Sequence, residues 1–323
     1  MLSMLTRPWP SFLFRKGGEL VAAVLVLILL TFAIVHLIPG DAARVVAGQD
    51  ASPADVESTR TALGLDQPFH VQLWEYFKGV LTGDLGTSFR TGQNVIDVIA
   101  ARFPFTASIA LLGIALTVVI SLALGLAVAG LTHGNRNQWL DTAFGWVTAV
   151  VLALPVYVIG AALIVMFAVQ WTVLPAAGAS TLSSYILPTA AIASGPICAM
   201  ARLVRREAAV VLDQDYMRTA RGWRISKVRQ YVKHALPNLL ASTLTLSGLI
   251  LASMIGGAIL IESVFAWPGL GRAVVESIIG RDYPLTRGII LVIGGIAIVV
   301  NITIDVALAI GDPKTLQAGK ALT

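Results

Sequence analysis

The sequence predicts an all-α, polytopic membrane protein with six transmembrane helices, and three observations predict it. Of 323 residues, 56% are hydrophobic and only 13% are charged, about half the charged share of an ordinary soluble domain. The apolar residues are bunched into blocks of about twenty, the length a helix needs to cross roughly 30 Å of hydrocarbon. Most Lys and Arg residues lie between these blocks, where the loops of a membrane protein carry them.

In chain order the spans fall at about 20–38, 106–131, 140–169, 186–204, 238–261 and 285–311. The first block also resembles a secretory signal, because Arg7, Arg15 and Lys16 precede it. Its apolar run exceeds the usual 7–15 residues, however, and Pro39-Gly40-Asp41 follows where small cleavage-site residues belong. A retained span is therefore expected. The resulting organisation is a cytoplasmic segment 1–19, a first span with a long external loop over 20–105, a five-helix core over 106–311, and a cytoplasmic tail 312–323. The core carries a polar, basic segment at 205–237.

Orientation follows from the basic residues. With the N-terminus inside, the cytoplasmic segments hold fifteen of the 23 Lys and Arg residues, nine of them between Arg202 and Lys233. Of the other eight, five are spread over 39–105, which also carries eight acids. Both termini are expected in the cytoplasm. The net charge of +5 is thereby explained by topology, and no nucleic-acid partner is expected.

Composition excludes several chemistries. Cys198 is the only cysteine, so no intramolecular disulfide can form. His36, His70, His133 and His234 lie in separate segments without metal-ligand spacing, and no metal site or catalytic residue is assigned. The spans hold His36, Arg287 and Asp305 only near their ends, whereas ion-coupled carriers keep ionisable groups at mid-membrane. No G-x-x-x-x-G-K-[ST] phosphate loop, G-x-S-x-G elbow or H-E-x-x-H pair occurs. Any ATP hydrolysis must belong to a partner; an ATP-independent channel or secondary carrier is the alternative.

Two polar segments carry further pattern. Within 39–105, Leu73, Trp74, Phe77, Val80 and Leu81 recur at helical spacing, predicting a partly amphipathic helix on the outer membrane surface or against an external partner. Within 205–237, Ile225, Val228, Tyr231, Val232, Ala235 and Leu236 mark one apolar helical face, with Lys227, Arg229, Gln230 and Lys233 turned elsewhere. Ser226 is placed to cap that helix and Pro237 to end it or bend it into the next span. Gly125 with Ala129, and Gly256 with Ala252, predict close helix approaches.

Segment 205–237 resembles the cytoplasmic EAA loop of bacterial ABC importer permeases. Arg218-Thr219-Ala220 stands at the Glu-Ala-Ala-like triplet, Asp215-Tyr216 precedes it, and Leu236-Pro237 closes the loop at the family's distance. Arg224 occupies the usual glycine position, while Gly222 lies two residues earlier, so the turn between two short helices is expected to be shifted. Further matches identify the dipeptide, oligopeptide and nickel permeases. They are Ile38-Pro39-Gly40-Asp41, Leu63-Gly64-Leu65-Asp66-Gln67-Pro68, Gly83-Asp84-Leu85-Gly86-Thr87-Ser88 and Arg102-Phe103-Pro104-Phe105-Thr106 near the start. Near the end stand Glu262-Ser263-Val264-Phe265, Trp267-Pro268-Gly269-Leu270-Gly271, Arg281-Asp282-Tyr283-Pro284, Asn301, Asp305 and Asp312-Pro313-Lys314, with Leu308 where tyrosine is frequent.

The resemblance implies a type I ABC importer permease fold and a transport subunit rather than an enzyme. It implies a second homologous permease, two cytoplasmic ATPase subunits that hold ATP and Mg, and an external solute-binding protein; this chain itself would bind no cofactor. It places ATPase coupling at Asp215, Tyr216, Met217, Arg218, Thr219, Ala220, Arg221 and Gly222, with Tyr216 and Met217 as apolar anchors. It places an external loop or gate at Trp267, Pro268, Gly269, Gly271, Asp282 and Tyr283. The solute classes it leaves open are dipeptide, oligopeptide, nickel, metallophore and opine.

Overall fold

A computed structural model describes residues 8–37, 41–48, 50–223, 225–226 and 229–311. Among these residues there is no β-strand, only one isolated bridge between Thr87 and Asn94. The helices are α1 Pro8–Leu37, α2 Ala42–Ala47, α3 Pro53–Ala62, α4 Phe69–Thr82, α5 Val95–Thr132, α6 Gln138–Ala153 and α7 Val156–Gln170, whose last turns are π-wound. After a 3-10 turn at Leu182–Tyr185 come α8 Ile186–Leu212 and α9 Asp215–Gly222. A π turn at Gln230–Ala235 leads into α10 Leu236–Val264, followed by α11 Leu270–Ile279 and α12 Tyr283–Gly311.

Among the described residues, five stretches are long and apolar enough to cross a membrane: Phe12–Ile34, Val95–Thr132, Leu182–Leu212, Leu246–Val264 and Tyr283–Val306. The pair α6–α7 makes a sixth if it counts as one span. That pair corrects the expectation of a continuous helix over 140–169, because it bends by 100° at Leu154-Pro155. Pro155 has no N–H to donate and forces its predecessor out of the helical region; Leu154 is extended at φ −84°, ψ 130°.

The chain forms two compact units. The first is built from the chain up to Thr106 together with Pro268–Ile302. Its α2 starts at Asp41, whose carboxylate accepts the Ala43 N–H at 3.0 Å and pairs with Arg60 at 2.6 Å. Its α3 starts at a reciprocal Ser52–Asp55 capping box with Pro53 in the first turn. The expected amphipathic helix is α4, with Trp74 and Leu81 exposed and Trp74 stacked on Phe77 at 6.1 Å. Its other side holds α1: Tyr76 and Phe69 flank the buried Phe32 at 6.0 and 4.8 Å, and the Tyr76 and Thr31 hydroxyls lie 2.9 Å apart. Burial pushes the Tyr76 phenol above its ordinary pKa.

The second unit runs over Ala107–Trp267 and resumes at Thr303. Its centre is α8, which buries Leu187, Ala191 and Ile192 near its start and the stripe Met200, Val204, Ala208 and Leu212 toward its end. Gly125 of α5 lets the helices meet, since a methyl group there would lie 2.7 Å from Val204 and 2.9 Å from the Ala201 carbonyl oxygen. Ala129, one turn on, is buried in the same cluster. A methyl group at Gly256 would meet nothing within 4 Å, so no close approach is made there among the described residues.

The segment after α9 also departs from the sequence pattern. Gln230 is buried, donating from its side chain to the Ile225 carbonyl at 2.6 Å, and Val232 is exposed. The π turn rotates each residue less than an α-helix does, which turns the apolar face predicted on 3.6-residue spacing. Ser226 offers its carbonyl, accepting the Gln230 N–H at 3.0 Å. Pro237 neither ends a helix nor separates one; it stands in the first turn of α10, where the missing N–H is tolerated.

Two predictions follow from this packing. Gly125→Leu should destabilise the detergent-solubilised protein by about 1–3 kcal/mol through overpacking, read as a lowered thermal midpoint, whereas Gly256→Ala should leave it unchanged. Spin labels at Gln138 and Gln170 should lie about 30 Å apart across the bend, against about 48 Å for one straight helix, in a double electron–electron resonance measurement.

Candidate functional site

The basic segment folds into a two-faced helix, α9. Its N-terminal residue Asp215 is fully open to solvent, and Arg218 lies 3.5 Å from that carboxylate on the same exposed side. Such a pair contributes little stability. Tyr216 is 44% exposed, and its hydroxyl accepts from Asn238 Nδ2 of α10 at 3.0 Å. Thr219 is exposed, its hydroxyl turned back to the Asp215 carbonyl at 3.1 Å. Trp223, the C-cap, is 78% exposed.

The opposite face is closed against the same chain. Met217 is 0% exposed and packs with Val204, Ala208, Leu212 and Leu239; Ala220 is buried beside it. Arg221 turns inward, donating from a terminal nitrogen to the Leu212 carbonyl at 2.9 Å and lying 3.4 Å from His133 Nε2. This guanidinium satisfies a carbonyl that the end of α8 leaves open. His133 Nδ1 is 3.8 Å from Asp213, and Arg205 is paired with Asp141 of α6 at 2.6 Å. The helix is thus fixed to α5, α8 and α10, the elements that carry its buried neighbours.

The expectation that Met217 is an outward anchor is corrected by this burial. A helix shows one apolar stripe to its own core, and residues 217 and 220, three apart, form that stripe. The exposed aromatic at its far end is Trp223, which the motif did not include. Gly222 is the last helical residue, and the helix stops at Trp223, which agrees with a turn displaced toward residue 222; Arg224 lies outside the described residues. A side chain at Gly222 would meet nothing within 4 Å.

The expected gate residues are mostly inside. Trp267 is completely buried, edge-on to Tyr185 at 4.6 Å, with its N–H given to the Glu262 carbonyl at 2.8 Å. In the other unit, Gly269 precedes α11, Gly271 is buried in its first turn, and the Leu270 N–H reaches the Thr106 hydroxyl at 2.8 Å; Pro268 is half-buried. Asp282 is buried at the start of α12, accepting the Phe89 N–H at 3.1 Å and the Ser88 hydroxyl in a shorter contact. Its carboxylate also takes the Leu285 N–H, so it both caps α12 and ties down the loop before α5. Tyr283 lies 6.3 Å from the Phe89 ring. Within each unit these residues hold backbone in place.

Asn301 is exposed and Asp305 half-buried, while Leu308 has no described side chain and Asp312-Pro313-Lys314 lie outside the described residues. Among the described residues no group of three or more His, Cys, Asp or Glu is arranged to hold a metal ion.

Comparison with known proteins gives this arrangement a family. Residues 121–317 match the model of the binding-protein-dependent transport system inner membrane component, and residues 10–110 match its N-terminal counterpart. The chain is 36% identical over 312 residues to the provisionally named peptide transport system permease protein of Brucella abortus (strain 2308). It is 37% identical over 303 residues to the glutathione transport system permease protein GsiC of Salmonella typhimurium (strain LT2). Each match covers 94% of this chain and 98% of the relative. With its all-α, multi-pass architecture, the chain belongs to the family of binding-protein-dependent transport system inner membrane components.

Proposed function

We propose that this chain is one membrane-spanning subunit of an ATP-driven importer of small peptides, in the bacterial inner membrane with both termini cytoplasmic. Its working assembly contains a second, homologous permease, two cytoplasmic ATPase subunits that bind ATP and Mg, and an external solute-binding protein. The carrying observation is the two-faced helix α9. Its buried face, Met217, Ala220 and Arg221, locks it to its own bundle, while Asp215, Tyr216, Arg218, Thr219 and Trp223 remain for a partner. A short helix so anchored transmits force: closure of the ATPases displaces α9, and the bundle tilts with it toward outward access. Hydrolysis resets the cycle. The peptide solute is supported by what the two relatives are named for, a peptide and glutathione.

This reading separates two classes of substitution. Tyr216→Ala with Trp223→Ala should weaken ATPase docking by about 2–4 kcal/mol, the loss typical of removing interface anchors, while costing the permease alone only about 1 kcal/mol through the lost Asn238–Tyr216 hydrogen bond. Met217→Ala should do the reverse, destabilising the permease by about 2–4 kcal/mol through a buried cavity. Retention of the ATPases on the purified permease, measured beside its melting curve, distinguishes the two. If the double variant keeps its ATPases and its binding-protein-stimulated hydrolysis, α9 is not the coupling element.

Topology is tested separately. Single cysteines at His70 and Gly222 should differ in labelling by an impermeant thiol reagent on intact cells, the first reacting and the second protected. Equal labelling would contradict the proposed orientation.

A further inference from the structure

The first unit holds an arginine that none of the above uses. Arg287 sits in the second turn of α12, and its guanidinium carbon lies 5.0 Å from the centroid of the Tyr76 ring and 5.9 Å from that of Phe32. Its Nε is shut off from solvent and has no hydrogen-bond partner among the described residues. Arg60, Arg102 and Arg272 of the same unit pair with carboxylates at 2.6–3.5 Å; Arg287 has no such pair among the described residues. A guanidinium stays charged at any physiological pH and presents a planar fork of donors matched to a carboxylate. Two aromatic faces attract such a cation but accept none of its hydrogen bonds. The site is therefore built for a cation, and no anion among the described residues answers it.

Arg287 lines a cleft of about 580 Å³ formed by α4, the loop after it and the start of α12. The cleft carries both signs of charge. Glu75 and Asp84 are exposed at its edge, with Lys78 beside them, while the Arg287 Nε is buried. A ligand that turns a carboxylate inward and an ammonium outward would satisfy this distribution. A free peptide has that pattern of charge, and the cleft has the volume of the usual small-ligand sites.

We propose that this cleft binds a small zwitterionic peptide, its C-terminal carboxylate on Arg287 and its ammonium at the rim formed by Glu75 and Asp84. The proposal rests on the peptide-import reading and adds to it a solute site on the permease itself, separate from the external binding protein. The phenol of Tyr76 and the ring of Phe32 act as positioning groups that hold the guanidinium in the cleft.

The test uses the complete permease–ATPase assembly in lipid nanodiscs, without binding protein, and a photoreactive dipeptide of alanine and photo-leucine. Cross-links should map to residues 62–89. Ala-Ala should compete at least tenfold better than its C-terminal amide, Arg287→Gln should lower labelling at least tenfold, and Arg287→Lys, which keeps the charge but loses the planar fork, should fall between Arg287→Gln and the unmodified protein. Equal competition by acid and amide, or labelling indifferent to Arg287→Gln, overturns the proposal. So does labelling that disappears in phosphatidylglycerol but persists in phosphatidylcholine, which would assign Arg287 to a net-anionic lipid headgroup. If Arg287→Gln does not assemble, the acid-against-amide comparison on the unmodified protein decides. Uptake of Ala-Ala by the full importer in proteoliposomes is measured in parallel. Uptake with indifferent labelling overturns the cleft alone, acid-selective labelling without uptake upholds the cleft and overturns the import reading, and loss of both overturns both.

Discussion

Hydrocarbon offers the peptide backbone no hydrogen-bond partner, and the rest of this structure depends on that constraint. Every N–H and C=O at membrane depth must be satisfied within the protein, so the apolar blocks become helices and irregular backbone is confined to protected places. The break at Leu154-Pro155 is sheltered on one side only, Leu154 being 45% exposed. It borders a cavity of about 190 Å³ that is also lined by Ser194, Gly195 and Pro196 of α8 and by Ser253 of α10. Polar atoms and small residues from two neighbouring helices thus flank the point where α6 gives way to α7.

The same accounting explains why the functional elements lie at the helix ends. Arg221 satisfies a terminal carbonyl of α8, and Asp282 satisfies terminal N–H groups of α12 while gripping Ser88 and Phe89. Each uses a charged side chain to fix a loop to a span. In α9 this fixing leaves one face free, and a helix that is rigid toward its own bundle and open on the other side is suited to transmit a displacement.

Much of this was legible in the sequence. Apolar block length placed the spans, and the spacing of Leu73, Trp74, Phe77 and Leu81 placed α4. What escaped reading was direction around a helix and contact across long separations. Met217 belongs to a motif, but only the packing of α8 and α10 turns it inward. Tyr76 lies beside the amphipathic stripe of α4, yet its role comes from Phe32 and Arg287, which are distant in sequence. The π turn at Gln230–Ala235 has no signature in a 3.6-residue pattern, so Gln230 and Val232 exchanged their expected faces. Pro155 was visible, but its effect was lost inside an apolar run long enough to span. Trp223 stood one residue beyond the segment the motif marked, although an aromatic at a helix end was itself the signal that could have found it.

The central claim is that α9 and its own bundle move as one body. Spin labels at Thr219 and at Leu131, both exposed and in the same unit, measure this directly in the assembled importer. The account predicts that their distance stays constant within about 2 Å, less than the one-turn shift of an element past its neighbour, between nucleotide-free and ATP-bound states. The distance between Thr219 and its counterpart on the second permease should change over the same step. A Thr219–Leu131 distance that shifts with nucleotide while the spans stay still would mean that α9 slides on its bundle, and would contradict the account.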